Sequence, residues 1–326
     1  MRRKMHPQLG VSSENATPEY LQYLKQMNVT HCFVMFSNEQ SDYEHVNRIL
    51  ERIRAAGLTV DDAGNSFLYK HLSIHLGLPD RDKWIERYNA LNRILGNAGV
   101  PVGYIGNSRV SHTGYFADPF THGALGRTVH MEEILKRPPV IDPPVSEEQL
   151  WESFRYLLQA ALPAAKETGM CLALHPSDPP YPEYEGYPSL IHNSDCFRRA
   201  IRMADEIEPD ILGLKFCCGC WLEGGPTFGD ILADLREFVR AGRVLTVHFR
   251  NVSSPLPDFT ETLAEDGYFD MMKIMRVLVQ EGYDGAIYPD HVFRTSPETG
   301  GDLAAFAYAM GYLKGLMNAA CSETGE

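Results

Sequence analysis

The sequence predicts a single-domain (β/α)8 TIM barrel, because short apolar, strand-like runs alternate with amphipathic stretches of helical period along the whole chain. Eight strand–helix pairs follow one another over 326 residues, a length that such barrels commonly use as one domain. A doubly wound sheet of five or six strands is the structural alternative. No repeat or linker divides the chain, so residues 1–326 are interpreted as one barrel domain.

The predicted strands are short apolar or β-branched runs, as buried parallel strands require. In order they are Leu9–Val11, His31–Phe36, Leu58–Asp62, Pro101–Ile105, Cys171–His175, Ile211–Phe216, Val244–His248 and Ala286–Tyr288.

The predicted helices show apolar residues three and four apart, the spacing of one buried helical face. They are Pro18–Met27, Asp42–Ala55, Arg81–Gly96, Ser146–Thr168, Asp195–Ile207, Phe228–Ala241, Phe269–Glu281 and Gly301–Met317. Four glycines separate a helix from the next strand, which predicts a left-handed backbone there. They are Gly57, Gly99, Gly169 and Gly282.

One long interruption follows the fourth strand, over residues 106–145, and is rich in Gly, Pro, His and aromatic residues. Long loops are uncommon unless they are functional, and this one starts at the carboxyl end of a strand, the catalytic face of a barrel. We expect a long active-site loop or lid. A packing or oligomerisation arm is the alternative.

Composition narrows the class of partner. A net charge of −13 without a run of Lys or Arg argues against nucleic acid and anionic membranes, whereas a small anionic substrate needs only a local positive field. No signal-peptide pattern and no stretch of 18 apolar residues occurs, so a cytoplasmic location is expected. The odd number of cysteines, seven, favours reduced thiols.

Four consecutive predicted strands end in a residue that can bind a metal ion: His175, Cys217, His248 and Asp290. A histidine at one strand end is more often a hydrogen-bonded structural residue. Four such residues at adjacent strand ends converge on one point of the barrel mouth. The pattern therefore predicts a divalent metal site with two imidazoles, one thiolate and one carboxylate.

The Cys217-Cys218-Gly219-Cys220 cluster admits other interpretations. Its C-x-x-C spacing could be half of a zinc or iron–sulfur site, but no second pair exists in the sequence. In an extended segment Cys218 points away from Cys217, so one ligand is expected, with Cys217 preferred and Cys220 as the alternative. A simple turn of small residues remains open.

Three further polar residues lie close to these ligands in sequence. His291 follows Asp290 and could act as acid or base. Asp178 could orient a ligand, or cap a turn as Asp-Pro sequences do. Arg250 could bind a substrate carboxylate with two hydrogen bonds, or form a surface salt bridge.

Together these motifs resemble mannonate dehydratase, a metal-dependent enzyme of hexuronate breakdown in the xylose-isomerase-like barrel superfamily. The resemblance spreads over most of the chain, and its HPSDPP and PDH motifs are fairly specific. It is carried by HLGLPDRDKWIERY (75–88), MEEILKRPP (131–139), LALHPSDPP (172–180), FCCGC (216–220), VHFRN (247–251), YPDH (288–291) and GYLKGL (311–316). The resemblance implies Mn2+ bound by His175, Cys217, His248 and Asp290, with Fe2+ or Zn2+ as alternatives on ligand chemistry.

The resemblance also implies His291 as the acid/base residue and Tyr308 as the catalytic tyrosine. Two segments depart from the family pattern. Tyr308 is displaced by about one residue in an ungapped comparison with that pattern, and Gly311-Tyr312 stands where the family has Gly-Arg. The W-x-R-T stretch is replaced by residues 108–113, where Arg109 and His112 are expected to bind substrate.

The function so implied is that of a hydro-lyase, which converts D-mannonate into 2-keto-3-deoxy-D-gluconate and water by C2 proton abstraction and loss of the C3 hydroxyl. A metal-dependent sugar isomerase or epimerase on the same barrel is one alternative, and a non-catalytic sugar-acid-binding protein is another. A homodimer or homotetramer is compatible with the resemblance.

Overall fold

The computed structural model describes residues 5–36, 41–106 and 109–324. Within these ranges the predicted fold is confirmed, since eight parallel strands close into a barrel. The strands are β1 (His6–Ser12), β2 (His31–Phe36), β3 (Thr59–Asn65), β4 (Val102–Ile105), β5 (Gly114–Ala117), β6 (Leu125–His130), β7 (Cys171–Leu174), β8 (Glu183–Tyr184), β9 (Tyr187–Pro188), β10 (Leu212–Cys217), β11 (Val244–His248), β12 (Asn251–Val252), β13 (Asp258–Thr262) and β14 (Ala286–Tyr288). The barrel order is β1-β14-β11-β10-β7-β4-β3-β2.

The eight barrel strands are the eight predicted ones, with shifted ends. The largest differences are at β1, which starts three residues earlier than predicted, and at β3, which ends three residues later. A polar residue inside the barrel explains the earlier start of β1. Gln8 donates hydrogen bonds to Asp62 Oδ2 over 3.0 Å and to Thr246 Oγ1 over 3.2 Å, so a polar side chain that interrupts an apolar run still belongs to a strand.

Helices surround the barrel and cover it with apolar faces. They are α1 (Pro18–Gln26), α2 (Tyr43–Ala55), α3 (Ser66–Tyr69), α4 (Leu72–Leu76), α5 (Arg81–Asn97), α6 (Met131–Leu135), α7 (Glu147–Lys166), α8 (Ser194–Asp205), α9 (Cys218–Gly224), α10 (Ile231–Arg240), α11 (Met271–Gln280) and α12 (Gly301–Thr324). Eight of them are the predicted helices, and α12 runs seven residues beyond its predicted end. The short helices α3, α4, α6 and α9 were not predicted, because segments this short show no clear helical period.

Local sequence fixes several of these boundaries. Ser146 caps α7 by accepting from the backbone N–H of Gln149, whose side chain accepts in return from the N–H of Ser146. Gly57 and Gly282 have φ of 83° and 69°, which confirms the left-handed backbone predicted after α2 and α11.

The described part of the 106–145 segment contains two strands and is not a simple loop. β5 pairs with β6, and β6 pairs with β13, in an antiparallel sheet of order β12-β13-β6-β5. Arg127 on β6 contacts Asp178 after β7, and Glu261 on β13 contacts His291 after β14, so the sheet lies over the carboxyl ends of the barrel strands. In the described part of the chain, no helix has the length and apolar character needed to cross a membrane.

Candidate metal centre and active site

Four barrel strands bring the predicted ligands to one end of the barrel. His175 directly follows β7, Cys217 ends β10, His248 ends β11, and Asp290 lies two residues beyond β14. In the parallel register Cys217 pairs with His248, and His248 pairs with Tyr288. Neighbouring strands therefore end at the same level, which is why the four side chains meet.

The distances bring three of the predicted ligands together, with Asp290 beside two of them. One donor atom each from His175, Cys217 and His248 lies within 4.8 Å of the others. Asp290 lies next to this group, since its Oδ1 is 3.2 Å from His248 Nδ1 and its Oδ2 is 3.9 Å from Cys217 Sγ.

The hydrogen-bonding state of these groups suits a cation. His175 Nδ1 lies 2.7 Å from the carbonyl oxygen of Pro176, and a proton donated there leaves Nε2 as the lone-pair donor. The buried Nδ1 of His248 has no aligned hydrogen bond to any described group. Burial raises the pKa of the Cys217 thiol, but a hydrogen bond from Cys220 and the charge of Arg250 outweigh it and hold that pKa well below its usual range. A thiolate, two imidazoles and a carboxylate form a donor set that fits a divalent ion.

The Cys217–Cys220 cluster differs in one respect from its prediction. Cys218 begins α9 and does not continue an extended segment, so that part of the prediction is wrong. The helical turn brings Cys220 back towards the thiolate, and Arg250 Nη2 lies 3.7 Å from both Cys217 Sγ and Cys220 Sγ.

Arg250 is buried in the centre of a carboxylate cluster, with its side chain 2% exposed. Nε donates to Asp290 Oδ2 over 2.9 Å and Nη2 donates to Asp178 Oδ2 over 2.7 Å, while Nη1 donates to Glu223 and lies 3.1 Å from Glu261. The alternative of a surface salt bridge is therefore wrong. The guanidinium expected to bind substrate is already engaged by protein carboxylates.

Gly219 allows this arrangement. A Cβ atom at this position would lie 2.4 Å from the Cζ atom of Arg250, closer than any real contact. Only a residue without a side chain lets the guanidinium lie against the start of α9.

Asp178 acts within the same cluster. Its carboxylate accepts hydrogen bonds from both Nη atoms of Arg127 and from Arg250. Arg250 therefore links Asp178 to Asp290. Burial raises the pKa of the Asp178 carboxyl group, but the charges of Arg127 and Arg250 outweigh this and lower it. Glu223 differs, because its complete burial raises its pKa well above the usual range and favours the neutral form.

His291 stands at the border of two cavities. Its Nδ1 is 2.8 Å from Glu261 Oε1 and 3.1 Å from Arg127 Nη1, and its side chain is 41% exposed. Burial lowers its pKa, but the carboxylates of Asp290 and Glu261 outweigh this and raise the pKa of His291 to about 9.

The cavity above the predicted ligands has a volume of about 240 Å³. His175, His248 and Asp290 line its floor, and the side chains of Lys70 and Lys215 also line it. A neighbouring cavity of about 380 Å³ shares His291 with the first and is mainly apolar.

Comparison with known proteins identifies the family. A family model described as D-mannonate dehydratase (UxuA) matches residues 131–324, more than half of the chain. The chain belongs to the mannonate dehydratase family. Enzymes of this family are metal-dependent hydro-lyases, which confirms the enzyme class expected from the sequence.

Individual relatives agree with the mannonate dehydratase assignment. A mannonate dehydratase of Lactococcus lactis subsp. lactis (strain IL1403) is 29% identical over 316 residues, covering 85% of this chain and 86% of that protein. The crystal structure of mannonate dehydratase from Streptococcus suis serotype 2 has a TM-score of 0.87 at 25% identity, covering 99% of this chain and 95% of that one. A 3-keto-D-glucoside 4-epimerase from E. coli, with a TM-score of 0.61 and 13% identity, shares the fold alone.

Three residues predicted from the mannonate dehydratase resemblance lie away from the ligands. Tyr308 lines the apolar cavity and is 53% exposed. Its hydroxyl donates a hydrogen bond to Glu265. That hydrogen bond and partial burial raise the pKa of Tyr308 to about 12.

Arg109 and His112 do not line the smaller cavity. Arg109 donates to the carbonyl oxygens of Tyr184 and Tyr187 over 2.6 and 2.9 Å, and to Glu185 Oε2 over 2.6 Å. The ring of His112 packs edge-on against Tyr115, with centroids 5.1 Å apart. The roles of Arg109 and His112 in substrate binding remain predictions. In the structure, both side chains contact other protein groups.

Sequence reasoning missed two groups of polar residues. Lys215 precedes Cys217 by two on β10 and so shares its face, a signal that was available. Lys70, Arg127 and Glu261 carried no such signal, because α3 and the antiparallel sheet that place them were not predicted.

Proposed function

We propose that this chain catalyses the dehydration of D-mannonate to 2-keto-3-deoxy-D-gluconate and water. The observation that carries the proposal is the convergence of His175, Cys217, His248 and Asp290 at the barrel mouth, in a chain of the mannonate dehydratase family. The adjoining cavity of about 240 Å³ is large enough for a six-carbon acid.

These four residues are proposed to hold one divalent cation, Mn2+, with Fe2+ or Zn2+ as the chemical alternatives. The bound ion supplies Lewis acidity, which makes the C2 proton of an aldonate easier to remove. Arg250 holds Asp290 in its ligating position, and Cys220 stabilises the Cys217 thiolate. A site that depends on this thiolate suits the reducing cytoplasm.

Lys70 and Lys215 are proposed to bind the substrate carboxylate, a role first expected of Arg250. Both line the cavity, whereas the guanidinium is surrounded by Asp178, Glu223 and Asp290. Lys215 lies with its Nζ 3.3 Å from the centroid of the Tyr104 ring, so it enters the cavity from the barrel interior.

His291 is proposed to move the protons. Removal of the C2 proton and protonation of the departing C3 hydroxyl leave an enol and one water molecule, and the enol becomes the 2-keto-3-deoxy acid. The imidazole faces the cavity while Glu261 fixes its Nδ1, which leaves Nε2 for the substrate. Tyr308 is proposed as its partner, and this use requires its hydroxyl to leave Glu265.

We further propose that residues 106–145 belong to the one barrel domain and form a wall of the active site. Val110 lines the cavity, and Arg127 pairs with Asp178 and with Glu261, which in turn contacts His291. A homodimer or homotetramer is the proposed assembly, which sedimentation of the purified chain would measure.

The test is to incubate metal-loaded protein with D-mannonate and to follow 2-keto-3-deoxy-D-gluconate by chromatography. Chelator-stripped protein is the control, and a panel of other aldonates defines the substrate. A product isomeric with the substrate would favour the epimerase alternative, and aldonate binding without product would favour the non-catalytic one. Either outcome would overturn the proposed dehydration.

A further inference from the structure

A second group of potential metal ligands lies at the opposite end of the barrel. His6 begins β1, His31 begins β2, and Asp61 is the third residue of β3. One donor atom from each lies within 4.8 Å of the others. These three strands are neighbours, so this amino-terminal cluster, as we call it, repeats in miniature the convergence of the four ligands at the carboxyl ends.

An irregularity in the strand pairing directs Asp61 into this cluster. Cys32 pairs with Val60, but the next residue, Phe33, pairs with Asp62, so Asp61 is an extra residue in β3. Such a bulge redirects a side chain that regular alternation would place elsewhere. Asp62 therefore points into the barrel towards Gln8, while Asp61 contacts His6 with Oδ2 2.9 Å from Nε2.

The imidazole rings of His6 and His31 lie close together. Their ring centroids are 3.9 Å apart at an interplanar angle of 32°. His31 Nδ1 lies 2.9 Å from the hydroxyl of Thr30, the kind of contact that orients a metal-bound histidine through its other nitrogen. The side chains of His6 and Asp61 are each 17% exposed, so their solvation is already reduced.

The surroundings favour a positive ion. A cavity of about 370 Å³ opens onto the cluster, and its lining includes the carboxylates of Asp61 and Asp284, while Glu281 in the same lining is paired with Arg240. Two neutral imidazoles and a carboxylate, with water in the fourth position, are a ligand set that Zn2+ accepts.

We propose that His6, His31 and Asp61 form a second metal site, suited to Zn2+, which ties β1, β2 and β3 together. This end of a barrel serves stability rather than chemistry, so the ion is structural. The site does not depend on the proposed dehydratase activity, because it shares no residue with the candidate metal centre.

Titration of chelator-stripped protein with Co2+ separates the two sites. Cobalt bound at Cys217 gives a sulfur-to-metal charge-transfer band, whereas cobalt bound at the amino-terminal cluster gives ligand-field bands alone. We expect two equivalents in the wild-type chain, one with each spectrum. His31→Gln should lose the sulfur-free equivalent and keep the other, while its remaining His6–Asp61 contact preserves the local ion pair.

The matched control is His130→Gln. His130 also pairs with an aspartate, Asp258, with Nδ1 2.9 Å from Oδ1. Among the described residues, this pair belongs to no group of three potential metal ligands. His130→Gln should retain both equivalents. Zn2+ should raise the Tm of the wild-type chain by at least about 3 °C more than that of His31→Gln. Absence of a sulfur-free equivalent in the wild type, or its persistence in His31→Gln, would overturn the proposal. A missing charge-transfer band would count against the candidate metal centre alone.

Discussion

Arg250 and Asp290 form an ion pair inside the barrel mouth, with Nε 2.9 Å from Oδ2 and the two side chains 2% and 6% exposed. The carboxylate of the last barrel strand is thus fixed by protein contacts, and its other oxygen stays 3.2 Å from His248 Nδ1. Burial raises the pKa of Asp290, but the charges of His248, His291 and Arg250 outweigh this and hold it well below its usual range. Asp290 is therefore held as an anion beside His248.

Replacement of Arg250 should destabilise the fold. Arg250→Met leaves Asp178, Glu261 and Asp290 buried without their shared counter-charge, and we expect a loss of about 3–5 kcal/mol in the free energy of unfolding. Arg240→Met is the control, because Arg240 pairs with Glu281 at a side chain that is 68% exposed, and it should leave the free energy of unfolding nearly unchanged. Urea denaturation measures both, and equal losses would contradict the central role of Arg250.

Replacement of Cys217 should weaken metal binding with little effect on folding. Cys217→Ser exchanges a thiolate for a hydroxyl, which is a poor metal ligand. We expect at least a tenfold loss of Mn2+ affinity, because the loss of a residue that only hydrogen-bonds to a ligand already costs about that much. Cys171→Ser, at the other end of the barrel on β7, is the control. Chelator competition gives both affinities, and identical values would exclude Cys217 as a ligand.

Replacement of His291 should separate catalysis from metal binding. His291→Asn removes the proton-transfer group but none of the four proposed ligands, so kcat should fall about 10²–10⁴-fold while metal content is unchanged. His130→Asn, at a histidine that pairs with Asp258 outside the cavities, should keep full activity. Retained turnover in His291→Asn would refute its assignment.

Replacement of Lys70 tests the proposed carboxylate contact. Lys70→Met should raise KM for the sugar acid about 10–100-fold, the effect of losing one charge-assisted hydrogen bond, with a smaller change in kcat. Lys273→Met, on the outer helix α11, removes the same charge away from the cavity and should leave KM unchanged. Steady-state kinetics give both KM values. Matching values in the two variants would show that Lys70 does not bind the substrate carboxylate.

His75 should make the stability of the fold depend on pH. It is 3% exposed, its Nε2 is 2.7 Å from the carbonyl oxygen of Tyr69, and burial lowers its pKa from 6.5 to about 4. The unfolded chain therefore takes up the proton first, so stability is complete above pH 6.5 and falls as the pH drops towards 4, by about 3 kcal/mol in all.

His75→Gln removes this titration and can still donate to Tyr69. Between pH 6.5 and 4, the free energy of unfolding of His75→Gln should therefore fall less than that of the wild-type chain. Urea denaturation at several pH values measures both. Parallel pH profiles for the two proteins would show that His75 is protonated equally in the folded and unfolded states.

The barrel and the four converging ligands were predictable because both arise from local patterns. Apolar runs mark the strands, and the residue that ends each strand can be read directly, as with His248 at the end of β11. The surroundings of the ligands were less accessible. Arg250 was expected to face substrate, since nothing in VHFRN shows that Glu223 and Glu261, from two distant segments, would enclose it.

By itself, the sequence determined the strand count, the helical covers and the set of strand-end ligands, because these depend on residue periodicity and on parallel strands ending at one level. Only the tertiary structure decided which charges share a buried space. It placed Arg127 and Glu261 over the barrel through an antiparallel sheet, and it turned Asp61 towards His6 by one extra residue in β3. Long-range ion pairing and a shift of strand register are set by packing between distant segments, and no local pattern records them.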